Sequence, residues 1–382
     1  MSESMRDRAA THAARAQFFC VGFAFATWGV HIPTVRARYG LDEAGLGIAL
    51  LAAGVGSLAG LTQAGRAIGR WGPRAVIVAG AAGMCLGLAL LLAMPGTAAL
   101  FGLLVLFGAA NGLIDVAVNA EASALEERRG RPLMSGIHGM FSIGGMAGAL
   151  AGGVLLRWPQ AHLAGVAAVL LLAMGLVARH LLPPVEHAGD EAAAHGFHLP
   201  RGALLLLGGL AGLGLIAEGA MYDWSVLYRH QELGSPQEQA ALAYASFSAA
   251  MALTRFVGDP VRARVAPATL LRGSAALAAA AMAVLLLVSH PWVARAGFAL
   301  VGVGFANVVP VLFAAASKVP GVPPAHGIAQ VASLGYLGFM TGPPVIGFVA
   351  HATSLATGLW LVVLFAVVLA ATARRALAPP RG

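Results

Sequence analysis

Charge is scarce in this chain. Of its 382 residues only 10% are Asp, Glu, Lys or Arg, against about 25% in soluble globular domains. That shortage excludes a water-soluble fold of this length. Cysteine is nearly absent as well: Cys20 and Cys85 each fall inside an apolar run, so they read as small apolar residues rather than a disulfide framework. Catalytic signatures are missing too. The sequence holds no H-E-x-x-H and no G-x-S-x-G, and Ser142 and His138, one helical turn apart, read as a polar packing face. The chain is therefore read as a non-enzyme without cofactor or metal.

What abounds is apolar surface, 59% of residues with a mean hydropathy of +0.80. A bilayer core takes roughly 20 apolar residues per helix. Twelve such runs are present, at 16–37, 43–63, 74–94, 97–120, 132–157, 161–181, 202–228, 238–258, 268–289, 291–316, 325–350 and 354–374. Each is continuously apolar where barrel strands would alternate, and in lipid only a helix or closed barrel satisfies the backbone. The fold expected is an all-α membrane protein of twelve transmembrane helices in two pseudo-symmetric six-helix bundles. The first run follows Arg6, Arg8 and Arg15 as a signal peptide would, but it is long enough to span and is read as the first helix.

The formal charge of +8 finds its explanation in topology rather than in a nucleic-acid partner. With the N-terminus in the cytoplasm, nineteen of the 24 Lys and Arg fall on that side, and Arg36, Arg38, Arg157, Arg229 and Arg295 on the other. This positive-inside asymmetry predicts a multi-pass protein of a bacterial inner membrane with both termini cytoplasmic. The longest polar connector, "PPVEHAGDEAAAHGFHLP", divides the runs six and six. The expected organisation is an N-terminal bundle at 1–182, a cytoplasmic linker at 183–200 and a C-terminal bundle at 201–382. His187, His195 and His198 of the linker lack ligand geometry and read as a solvated loop.

An offset of 194 residues aligns the two sets of helices without a gap, and under it Gly108 meets Gly302, Gly144 meets Gly338, Gly148 meets Gly342 and Arg70 meets Arg264. Two six-helix halves with a site near the midplane describe a secondary transporter. At this point the chain resembles the major facilitator superfamily over essentially its whole length. "GRAIGRWGPR" between the second and third runs resembles that superfamily's loop signature, with Gly65, Arg70, Gly72 and Arg74 matching and Gly69 standing where the family has Asp. The equivalent stretch of the second half, "TRFVGDPVRAR", keeps Arg255, Gly258 and Asp259. The resemblance implies a cytoplasmic gate at Arg70, Arg74, Arg255 and Asp259. "GLIDVAVNA", "LMSGIHGMFSIGG" and "AEGAMYDWS" further resemble the fucose-permease-like branch, in a bacterial inner-membrane group of the YbjJ type. That likeness implies a small polar, sugar-like solute.

Polar residues inside the runs supply the candidate site. Asn111, Asp115 and Asn119 share one stripe of the fourth run, and a charge at bilayer depth costs about 2.5 kcal/mol or more unless it faces a bundle interior or water. The turn near residue 127 sets His138 at a depth similar to Asp115, so a contact between them would hold either a proton-coupling pair or a static ion pair that fixes packing. In the seventh run Glu218, Tyr222 and Ser225 form another stripe, with Glu218 the second proton-coupling candidate. Asp223 and Trp224 lie toward the outer mouth, where Asp223 would pair with an Arg or cap a helix and Trp224 would anchor at the interface. Trp28, which aligns with Tyr222, and His31 suit a hydroxylated solute, and Asn307 and Gln330 would add hydrogen bonds or glue helices together. The expected solute contacts are thus Trp28, His31, Asn111, Asn119, Tyr222, Asn307 and Gln330.

The function expected from these residues is a proton-coupled symporter of a small polar solute, working as a monomer in the lipid bilayer by alternating access. A proton-driven exporter of amphipathic drugs or metabolites, and a membrane sensor or assembly protein that transports nothing, are the alternatives that solute flux would separate.

Overall fold

The computed structural model describes residues 3–130, 133–182 and 201–377. Among these the chain is helical throughout, with no strand. Twelve helices follow in order: α1 Glu3–Tyr39, α2 Glu43–Leu90, α3 Thr97–Arg129, α4 Met134–Leu155, α5 Pro159–Ala178, α6 Ala203–Gln231, α7 Gln237–Arg264, α8 Pro267–Leu287, α9 Pro291–Phe305, α10 Val308–Ala316, α11 Pro324–Ala352 and α12 Leu355–Ala376. The linker at 183–200, with its three histidines, lies outside the described residues, as does the side chain of Asp259.

Helices and crossings do not correspond one to one. The 48 residues of α2 would reach about 72 Å at 1.5 Å per residue, more than twice the roughly 30 Å of a bilayer core. Gly72 interrupts it, with φ 77° and ψ 158°, in the left-handed region that a side chain resists. Pro73 follows and withholds an N–H. The second and third apolar runs are therefore two crossings joined at this break. Conversely, the tenth run is divided between α9 and α10 around Ala306 and Asn307. Pro310, without an N–H, cannot bond the Ala306 carbonyl four residues back, and a proline is tolerated where a new helix begins. Together these give, among the described residues, eleven helices of membrane-spanning length, one of them double.

The helices gather into two compact units, Met1–Leu41 with Ala49–Gly196, and Asp42–Ile48 with Phe197–Gly382. Inside the first, α1 crosses α4 so closely that a Cβ on Gly144 would strike the Phe19 carbonyl, and one on Gly108 of α3 would strike that of Ala53 in α2. Inside the second, a Cβ on Gly338 of α11 would lie 2.6 Å from the Gly212 Cα of α6, and one on Gly302 of α9 would lie 2.5 Å from the Phe247 carbonyl of α7. These four glycines are two of the pairs related by the 194-residue offset. The internal repeat thus has a physical content: at matching positions in each unit, backbones approach to a distance that only glycine permits.

Candidate functional site

In the first unit the polar residues of α3 and α4 are joined through Asn119. Its Nδ2 donates to Asp115 Oδ1 at 3.1 Å and to the Asp115 carbonyl at 2.8 Å. Its Oδ1 lies 3.0 Å from His138 Nε2. An amide oxygen only accepts, so His138 carries its hydrogen on Nε2. Counting from the hairpin had set Asp115 and His138 at one depth, and the amide between them is what connects them. All three side chains are partly exposed, as is Asn111 one turn before Asp115. His138 also stacks on Phe18 of α1, with ring centroids 4.7 Å apart.

His31 has a different setting. It is fully buried in α1, and its Nε2 meets Nδ1 of His162 in α5 at 3.0 Å. Among the described residues the outer nitrogens of this pair, His31 Nδ1 and His162 Nε2, have no hydrogen-bond partner. Sequence reading missed His162, which stands at the start of an apolar run where an imidazole looks like an interfacial residue. Trp28 is likewise buried, at 5% exposure. Arg70 and Arg74 are exposed beside the Gly72 break, with the Arg70 guanidinium 5.4 Å from the Trp71 ring centre.

In the second unit the central feature is an ion pair. Arg255 Nη2 of α7 donates to Glu218 Oε1 of α6 at 3.0 Å, with side-chain exposures of 18% and 10%. Arg255 was expected as a gate residue in the stretch "TRFVGDPVRAR". Helix α7 runs through that stretch to Arg264, and the Arg255 guanidinium offsets the charge of the buried Glu218. One turn beyond Glu218, Tyr222 packs at 5.2 Å from Tyr244 and edge-on at 5.1 Å from Phe247, and its hydroxyl reaches Met251 Sδ at 3.5 Å.

Trp224 also departs from its expected place. It is fully buried, beside Gly347 of α11, because the stretch of α6 from Ala220 to Arg229 is covered on almost every face. It is a packing residue and not an interfacial anchor. Asp223 next to it is partly exposed. Asn307, 4% exposed at the α9–α10 break, accepts a hydrogen bond from Arg262 Nη1 at 2.9 Å. Gln330 is partly exposed on α11. Two networks, Asp115–Asn119–His138 in the first unit and Glu218–Arg255 in the second, thus set ionisable groups inside apolar helices, and the His31–His162 pair adds a further contact to the first unit. Among the described residues no group of three or more His, Cys, Asp or Glu could hold a metal ion.

The chain's similarities are consistent with this architecture. The family profile described as Major Facilitator Superfamily matches residues 16–335. An uncharacterised MFS-type transporter of Yersinia pestis is 36% identical over 360 residues, spanning 94% of each chain. Among solved structures, the nucleoside transporter NupG superposes with a TM-score of 0.75 at 14% identity, covering 98% of this chain and 100% of that one. A D-xylose-proton symporter superposes with a TM-score of 0.77 at 14% identity, covering 96% of each. At such identities the two structures establish the fold alone.

Proposed function

The chain belongs to the Major Facilitator Superfamily and is a multi-pass membrane transporter, and from that premise we propose that it carries a small polar, hydroxylated solute by proton-coupled alternating access. The observation that carries this reading is the partly exposed chain Asp115–Asn119–His138 in an otherwise apolar helix pair. Ionisable groups persist at membrane depth where they bind solutes or protons. A solute hydroxyl competing for Asn119 would break the link between the acid and the imidazole. Solute occupancy and proton occupancy would then depend on one another.

The Glu218–Arg255 pair serves the second unit. Protonating Glu218, or offering Arg255 another acceptor, would release a charge that the pair now cancels. Tyr222 lies one turn from the carboxylate within a buried aromatic cluster with Tyr244 and Phe247, so its contribution to a solute contact would require that cluster to open. The fucose-permease-like motifs and the polar solutes named for the two similar structures support the same solute class. The nineteen-to-five distribution of basic residues supports an inner-membrane location with both termini cytoplasmic.

The test is a panel of pentoses, hexoses and nucleosides offered to the purified protein in liposomes with an imposed pH gradient. One class should accumulate. Asp115→Asn should abolish accumulation while sparing solute exchange, because the amide keeps the hydrogen bond and loses the titratable proton. Unchanged accumulation in that variant would remove Asp115 from coupling, and a folded protein that moves none of the panel would overturn the solute class.

A further inference from the structure

One buried acid takes no part in either network. Glu121 follows Asp115 by six residues, which turns it onto another face of α3. That face is closely packed: Ala117, Val118, Ala122 and Leu125 are fully buried and Glu121 is 3% exposed. Its carboxylate accepts one hydrogen bond among the described residues, from the backbone N–H of Leu182 at 2.7 Å. Among the described residues no Lys, Arg or His stands within ion-pairing distance of it.

Arg128, further along α3, is bound to Asp7 of α1 at 3.0 Å, and its charge also acts on the Glu121 carboxylate. Other polar groups of these helices have partners of their own. Glu126 holds the Leu133 and Met134 amides where α4 begins. Gln17 of α1 donates to the Met174 carbonyl of α5 at 2.9 Å. Arg179 and His180, beyond the end of α5, bond to each other at an exposed surface. A single N–H donated to a carboxylate returns about 1.5–3 kcal/mol, less than the several kcal/mol per ion that burial costs. For a carboxyl so placed, binding a proton offsets the cost of burying its charge.

We propose that Glu121 is a proton-binding site whose charge state sets how firmly the chain is held at Leu182. Ionised, the carboxylate grips the N–H with a charge-assisted bond; protonated, it accepts through a neutral oxygen at about half the strength. Leu182 lies four residues beyond the end of α5 at Ala178, so the grip fixes the course of the chain just past that helix. Assigning this proton to the transport cycle rests on the reading above; the binding and the grip do not.

The experiment uses the full chain in two backgrounds, parent and Glu121→Gln, each compared with itself across pH. Infrared difference spectra on acidification should show a protonated-carboxyl band in the parent that is lost in Glu121→Gln. A nitroxide on His180→Cys should report a pH-dependent mobility that disappears in the same variant. Cys20 and Cys85, both buried, leave the introduced thiol as the accessible one. A band that survives Glu121→Gln undiminished, or a label with the same pH response in both backgrounds, overturns the proposal. Neither readout needs a solute, so failure here leaves the transport reading standing, and an empty solute screen leaves this one.

Discussion

Removing the cation from the Glu218–Arg255 pair should damage the protein far more than removing the pair altogether. The two groups stand 3.0 Å apart and are almost wholly withdrawn from solvent. At an effective dielectric of about 20 their attraction is about 5 kcal/mol, most of it spent on desolvating two ions. In Arg255→Met the carboxylate keeps its desolvation cost and loses its partner, a penalty of about 3–5 kcal/mol. For a unit of this size that is about 6–20 °C of thermal midpoint at roughly 2–4 °C per kcal/mol. Glu218→Gln should lose less, since an amide still accepts from the guanidinium. The double variant Glu218→Gln, Arg255→Met should recover to within about 1.5 kcal/mol of the parent, because neither buried charge remains. The assay is a double-mutant cycle on detergent-purified protein, reading the folded fraction after heating. If the two single losses simply add in the double variant, the side chains are not coupled and the account of this site fails.

Two further outcomes follow from packing. Trp224→Ala should cost about 3–5 kcal/mol as a fully buried indole, whereas Trp292→Ala, at 69% exposure, should stay within about 0.5 kcal/mol; equal midpoints for the two would contradict the burial of Trp224. Gly144→Val and Gly338→Val, whose new carbons meet backbone that cannot yield, should each lose at least about 1–3 kcal/mol, while Gly165→Val, with nothing within 4 Å, should not. Size-exclusion profiles after heating distinguish these cases.

Most of the fold was legible because lipid imposes a length and an apolar composition on every crossing. The apolar runs fall on the helices, and even the Asp115–Asn119–His138 grouping could be approached by counting outward from a hairpin. The sequence did not betray that α2 continues to the Gly72 break or that Asn307 divides a run, because a single φ angle or one missing N–H leaves hydropathy unchanged. The pairing of Arg255 with Glu218 was hidden for a related reason. "TRFVGDPVRAR" has the composition of a loop, yet α7 runs through it, and the partner of Glu218 became visible only with the helix in place. His162 and Glu121 gave no signal of their own, since what distinguishes them is a neighbour 131 residues away in one case and 61 in the other.

The glycine contacts restrict which parts of each unit can change shape. Where α1 lies backbone-on-backbone against α4, and α6 against α11, neither partner can roll about its own axis without collision, so each pair must travel in lockstep. Compliance is then left to the weak joints elsewhere in the chain: the Asn307 discontinuity and the double proline Pro343–Pro344 inside α11. Stiff couples with a few soft elbows confine deformation to a small number of residues.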